Sequence, residues 1–203
     1  MRLAHQWELV RGPGFSQALL AGFIRPAVRA VPSALARRLG RCHISSLGAA
    51  GPAVTSQWTE TSAGLEIALA TADTEEHDVA LELLLCLGQA LWHRLAAGES
   101  RAWWSLLERE IGEGVTGEID EHALDRKRAL AASRVSARSR ERLESYGAAS
   151  FAGSAAEFVH CLWHQVTVRS GSAYLPGPYL RRRLDLLARW FPPDRGYRLY
   201  PGR

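Results

Sequence analysis

The chain has 203 residues, 47% of them apolar and 23% charged, and a formal net charge of +4. That length suits one large domain, and folding at this size buries roughly 70% of the surface of the unfolded chain, so no staple is required. The balance excludes a disordered or collagen-like polymer, and three widely spaced cysteines, Cys42, Cys86 and Cys161, exclude a disulfide framework and point to a reducing compartment.

Lys127 is the only lysine, so the positive charge is almost all arginine. Arginine offers a planar fork for phosphate or carboxylate. An Arg-over-Lys chain rich in Ala and Gly equally reflects genome base composition, and charge speaks to association rather than fold. Met1 to Val10 contains His5, Gln6, Trp7 and Glu8, so it lacks the apolar core of a signal peptide. The longest apolar run, Val79 to Trp92, is broken by Glu82 and Gln89 and is too short to span a bilayer. The expectation is a cytoplasmic protein with no membrane association.

In chain order, Phe15 to Ile24 reads as a short helix after a Gly-Pro-Gly turn, with Pro26 and Pro32 as punctuation. Ser33 can cap a helix over Ala34 to Leu39, ended by Gly40. Arg41 to Leu47 is strand-like. Val54 to Ala70 alternates in two pieces about Gly64, which predicts a hairpin at a small sheet. Asp73 or Thr74 can cap a helix reaching about Ala97 and stopped by Gly98. Further helices are expected over Arg101 to Ile111, Asp120 to Ser145, Ala155 to about Val168 with Ser154 as cap, and Pro178 to Trp190, where Pro192-Pro193 ends the pattern. A few strands followed by many helices predicts a mostly helical α+β fold, in one domain with a core over about 32–168 and a C-terminal helical extension over 169–203.

The helix over Val79 to Leu95 is apolar almost all round, the mark of a helix running through the middle of a domain. Zinc peptidases carry His-Glu-x-x-His on such a helix, with two imidazoles four apart on one face and a glutamate that activates the metal-bound water. Here Leu84 to Ala90 reads Leu-Leu-Cys-Leu-Gly-Gln-Ala, and the later stretch Ser145-Tyr146-Gly147 is followed by Ala156-Glu157-Phe158-Val159. Together they resemble the central and third-ligand helices of gluzincin-type metallopeptidases, over roughly Pro32 to Val168, with His-Glu-x-x-His itself absent.

The resemblance implies a zincin-like domain whose small sheet packs on a central buried helix. It places Leu85, Cys86 and Gln89 at the positions of the first histidine, the glutamate and the second histidine. Glu157 stands for the third zinc ligand, Tyr146 for the oxyanion-stabilising tyrosine and Cys161 for a second glutamate. A catalytic zinc needs about three protein ligands and an open position. Leu85 has no donor, Gln89 offers a neutral amide, and a thiol in an apolar helix stays protonated and inert. The expectation is therefore a catalytically inactive, metallopeptidase-like protein with no catalytic residue, metal or cofactor. It would act by binding a protein partner or peptide-like ligand, as a regulator, adaptor or assembly partner.

Two other readings compete. Glu157, His160 and His164 lie within about 60° on one helix face and could hold a metal for a hydrolase, with His77, His93 or Asp78 as further donors from the central helix. Without a second element supplying a ligand, a solvated polar face is the simpler account. Alternatively the chain is an unrelated helical binding domain. The basic stretch Arg126, Lys127, Arg128, Arg134, Arg138, Arg140 and Arg142 is interleaved with Glu121, Asp125, Glu141 and Glu144. It reads as a charged, solvated helix face rather than a nucleic-acid site. Trp103 and Trp104 cannot both face the core, so one is expected at the surface or a partner interface. The segment from Tyr174 to Arg203 docks either on the domain or on a partner.

Overall fold

The computed structural model describes the chain apart from Arg11, Pro13, 48–54, Asp73, 133–138, 165–173 and 201–203. The N-terminal strand β1 (Glu8–Leu9) is followed by α1 (Gln17–Leu19), which passes through a π-helical turn at Leu20–Ile24 into α2 (Arg25–Ala30). Ser16 Oγ caps this run by accepting from Leu19 N at 2.9 Å. Pro26 does not end it, contrary to the sequence expectation. The proline follows on the π-helical turn, which carries the run past it.

Next come α3 (Ser33–Leu39), β2 (Cys42–Ser46), β3 (Gln57–Thr61) and β4 (Gly64–Leu69). The predicted hairpin is present. β3 and β4 are antiparallel, with Trp58 opposite Ile67. Its first residue, Val54, lies outside the described residues. The sheet order is β1-β2-β4-β3, with β2 parallel to both β1 and β4 and β3 at the edge. Alternation sets the buried face: Leu65, Ile67 and Leu69 of β4 join Cys42 and Ile44 of β2 in the core. Gly64 has φ +137°, and a Cβ there would lie 2.6 Å from Arg41 O, so only glycine fits this crossing of β2 and β4. Ser33 does not act as a cap. Its N and Oγ both donate to Asp194 Oδ2, at 3.0 and 2.7 Å, and tie the C-terminal segment to α3.

The helical part comprises α4 (Glu76–Trp92), α5 (Ala97–Gly112), α6 (Glu121–Ala131), α7 (Ser139–His164) and α8 (Gly177–Trp190), so the fold is mostly helical α+β. Several boundaries differ from the sequence reading: Glu75, not Thr74, precedes α4, and α5 begins at Ala97 rather than Arg101. α4 stops at Trp92, and Gly98 lies in the first turn of the next helix instead of ending this one. Arg94 fills the gap by donating to Arg38 O and Leu39 O at the end of α3. The expected helix from Asp120 to Ser145 is divided between α6, capped by Asp120 Oδ1 accepting from Ala123 N at 2.7 Å, and α7. Ser154 is not a cap but the middle of α7, where its hydroxyl donates to the Ser150 carbonyl one turn back at 2.7 Å.

α4 and α7 form the centre and run antiparallel. His77 meets His160 at one end, Gly88 meets Ala152 in the middle, and Trp92 meets Glu144 at the other end. A Cβ on Gly88 would lie 2.6 Å from Ala152 O, so the missing side chain is what brings the helices together. α4 is not apolar-buried all round: Leu81, Glu82 and Leu85 are half-buried and Gln89 is exposed, which leaves one open stripe. The C-terminal segment docks on the domain, with Leu180, Leu184, Leu187 and Phe191 buried in the same core as the sheet and α4. Trp103 is buried, and Trp104 is half-buried against Trp92 and Gly147. Among the described residues no single helix is long and apolar enough to cross a membrane.

Candidate functional site

Three places on the α4–α7 pair carry chemistry. The first is the face picked out by the gluzincin resemblance. Leu81 and Leu85 of α4 and Ala156, Glu157 and His160 of α7 line one cavity of about 130 Å³, with Asp120 and Tyr174 at its side. Leu85 and Glu157 are thus brought together. Cys86 and Tyr146 are not, and Gln89, one turn along the same stripe of α4, is engaged by the edge strand. Cys86 turns into the core beside Cys42, and burial, with the nearby charge of Glu82, pushes its thiol up to about 12. Gln89 Oε1 accepts from Trp58 Nε1 on the edge strand at 3.0 Å. Tyr146 stands eleven residues before Glu157 on one continuous helix, about 16 Å away along the axis, and so cannot share its site.

These residues do not fit a catalytic zinc. Of the three ligand positions only Glu157 carries a suitable donor, and it is engaged: Oε2 lies 3.2 Å from His160 Nδ1, and Oε1 accepts from Cys161 Sγ at 3.6 Å. Burial, then the Glu157 charge, pushes the Cys161 thiol up to about 12 as well, so it is no nucleophile at neutral pH.

The second place is where Tyr146 points. Its hydroxyl donates to Glu118 Oε1 at 2.6 Å inside a sealed network centred on Arg183. That guanidinium is fully buried and donates to Glu118 at 2.7 and 2.9 Å, to Glu110, and to Ser150 Oγ at 2.8 Å. Lys127 closes the group, 3.6 Å from Glu118 and donating to Gly117 O at 3.0 Å. Burial alone would raise the Glu118 carboxyl. The charge and hydrogen bonds of Arg183, together with Tyr146 and Lys127, outweigh it and hold the group at about 2. Lys127 is therefore not part of a solvated basic face. Of the rest of that stretch, Arg128 pairs with Asp125 and Arg142 donates to Ala129 O, while Arg134 and Arg138 lie outside the described residues. Nothing in the sequence pattern pointed to Arg183. The only available signal was a charged residue on the buried stripe of α8, in line with Leu180, Leu184 and Leu187.

The third place is the end of the pair where α4 begins. His77 of α4 stands against His160 and His164 of α7, and one nitrogen from each lies within 4.8 Å of the other two. His77 Nε2 and His160 Nε2 are 3.3 Å apart. α4 thus supplies the second-element donor that the sequence could not locate. It is His77 alone: His93 packs on Trp58 at the other end of α4, and Asp78 Oδ1 lies behind His77, 3.6 Å from Nδ1. Trp163 stacks on His77 and His164, and Phe23 closes the edge. Burial, then the neighbouring His160 and His77, lowers the His164 pKa, which favours the neutral ring.

Comparison of the chain with protein-family models, curated proteins and solved structures gives no match. The functional reading therefore rests on the arrangement of the side chains.

Proposed function

We infer that this chain is a non-catalytic protein with a metallopeptidase-like, zincin-type build that acts by binding a protein segment or peptide-like ligand. The observation that carries the reading is Leu85 in the wall opposite Glu157. A leucine there removes the first ligand of a gluzincin-type zinc, and without that ion no group at the Leu85–Glu157 wall can acidify water or polarise a carbonyl. Tyr146, the remaining candidate for transition-state stabilisation, is committed to Glu118 inside the sealed network. The cavity lining mixes apolar side chains with Asp120, Glu157, His160 and Tyr174, and the edge strand β3 touches the same stripe of α4 one turn further on, through Trp58 and Gln89. An edge strand is a setting in which an extended peptide adds main-chain hydrogen bonds.

Restoring the missing donors tests the reading. L85H/Q89H, made in an H77A/H164A background, should gain one zinc equivalent that E157Q removes. No gain would count against a lapsed peptidase site on the α4–α7 pair. Zinc-dependent cleavage of unfolded casein by the unaltered chain, lost in E157Q, would overturn the non-catalytic assignment.

A further inference from the structure

We propose that His77, His160 and His164 form a binding site for a zinc-class transition-metal ion, which clasps the start of α4 to the end of α7. On α4, His77 lies two turns from Leu85, about 12 Å by helical rise, while His160 and Glu157 also line the cavity beside Leu85; the proposal concerns metal binding and does not depend on the functional reading above.

The distances fit such an ion. Zinc binds imidazole nitrogen at about 2.0–2.1 Å in tetrahedral geometry, which puts neighbouring ligand nitrogens about 3.3–3.4 Å apart. His77 Nε2 and His160 Nε2 are separated by 3.3 Å. The three ring centroids form a nearly regular triangle with sides of 5.4, 5.5 and 5.1 Å. Imidazoles aimed at one tetrahedral ion have centroids about 5 Å apart by the same construction. Three ligands leave the fourth position for water.

The surroundings give the same answer. Glu157 Oε2 sits 3.2 Å behind His160 Nδ1. A carboxylate accepting from Nδ1–H fixes the tautomer that leaves the Nε2 lone pair free, the usual support for a metal-ligating histidine. Asp78 Oδ1 stands behind His77 Nδ1 in the same sense, at 3.6 Å. The lone pair of His160 Nε2 therefore faces His77 Nε2, and a shared cation turns that contact into a bond. His160 and His164 are one helical turn apart and face the same way. Trp163 and Phe23 supply an apolar shell that holds the rings in place. His160 is buried, His77 half-buried and His164 exposed, so an ion can reach the site without unfolding it. An all-imidazole donor set selects zinc, cobalt, nickel or copper over magnesium or calcium, which prefer oxygen.

The test is equilibrium dialysis of the untagged full-length chain, stripped with a chelator, against zinc, with cobalt(II) as a spectroscopic probe. The expected result is one zinc per chain and the intense visible absorption of tetrahedral cobalt. E157Q, which touches no metal, should weaken zinc affinity by about 10–100-fold, and H77A and H164A should each weaken it by more than that. His164 is exposed, so H164A keeps the test informative if H77A folds poorly, and circular dichroism of both variants checks this. Zinc uptake unchanged in H77A and H164A would place the ion elsewhere and overturn the proposal. So would failure of the unaltered chain to take up zinc at micromolar concentration, or octahedral cobalt spectra.

Discussion

The middle and the end of α7 hold polar clusters of opposite kinds. Over its middle turns, Tyr146, Ser150 and Ser154 face Arg183, Glu118 and Glu110 in a group closed to solvent, where every charge has a counter-charge and donors are matched to acceptors. At its end, Glu157, His160 and His164 meet His77 in a group open at His164, where imidazole nitrogens converge on one point. A buried network whose members satisfy one another is a structural device. A group of imidazole nitrogens within 4.8 Å of one another and open at one side is the place to look for a ligand.

The comparison can be broken first at Arg183. R183M leaves Glu110 and Glu118 buried with Lys127, beside Glu118, as their remaining counter-charge and should cost about 3–5 kcal/mol in urea unfolding. A loss under 1 kcal/mol would show that the network is not sealed. The acid limb comes next. Glu118 is held at about 2 against an ordinary 4.5, so between those values the unfolded chain binds the extra proton. The stabilisation is then complete above about pH 4.5 and lost as pH falls towards 2, on the order of 3 kcal/mol. Denaturation midpoints from pH 5 to pH 2 measure it, and the slope should flatten in R183M. G88A forces a Cβ against the Ala152 carbonyl and should cost about 1–3 kcal/mol by pushing α4 from α7. Y146F removes one hydrogen bond from Glu118 and should cost about 1–2 kcal/mol. H164A marks the other extreme. Without metal its unfolding midpoint should stay within about 0.5 kcal/mol of the parent, whereas a large loss would make the histidine end structural too.

Regular patterns were legible in the sequence. Leu65, Ile67 and Leu69 alternate and form a buried strand, and the apolar run from Val79 marks the central helix. Pro178 and Pro192 bracket α8 to within a residue or two. Single polar residues misled. Ser33, Ser154 and Gly98 each have the chemistry of a helix boundary, yet Ser33 binds Asp194, Ser154 returns its hydroxyl within α7, and Gly98 sits in the first turn of α5. A cap is read from a few neighbours, and these residues were claimed by partners or helices that a local window does not contain.

The site was half legible for the same reason. The i, i+4 pair His160 and His164, with Glu157 on the same face, follows from helical spacing alone. That His77, 83 positions from His160, completes the trio depends on the antiparallel register of α4 and α7, which the Gly88–Ala152 approach sets. The sequence by itself determined the fold class, the central helix and the absence of a metal donor at Leu85, because periodicity and side-chain chemistry are local properties. Only the tertiary structure decided that Tyr146 donates to Glu118 rather than sharing the site of Glu157, and that His77 meets His160 and His164. Those pairings join residues far apart in the chain, and packing register is a property of the whole core.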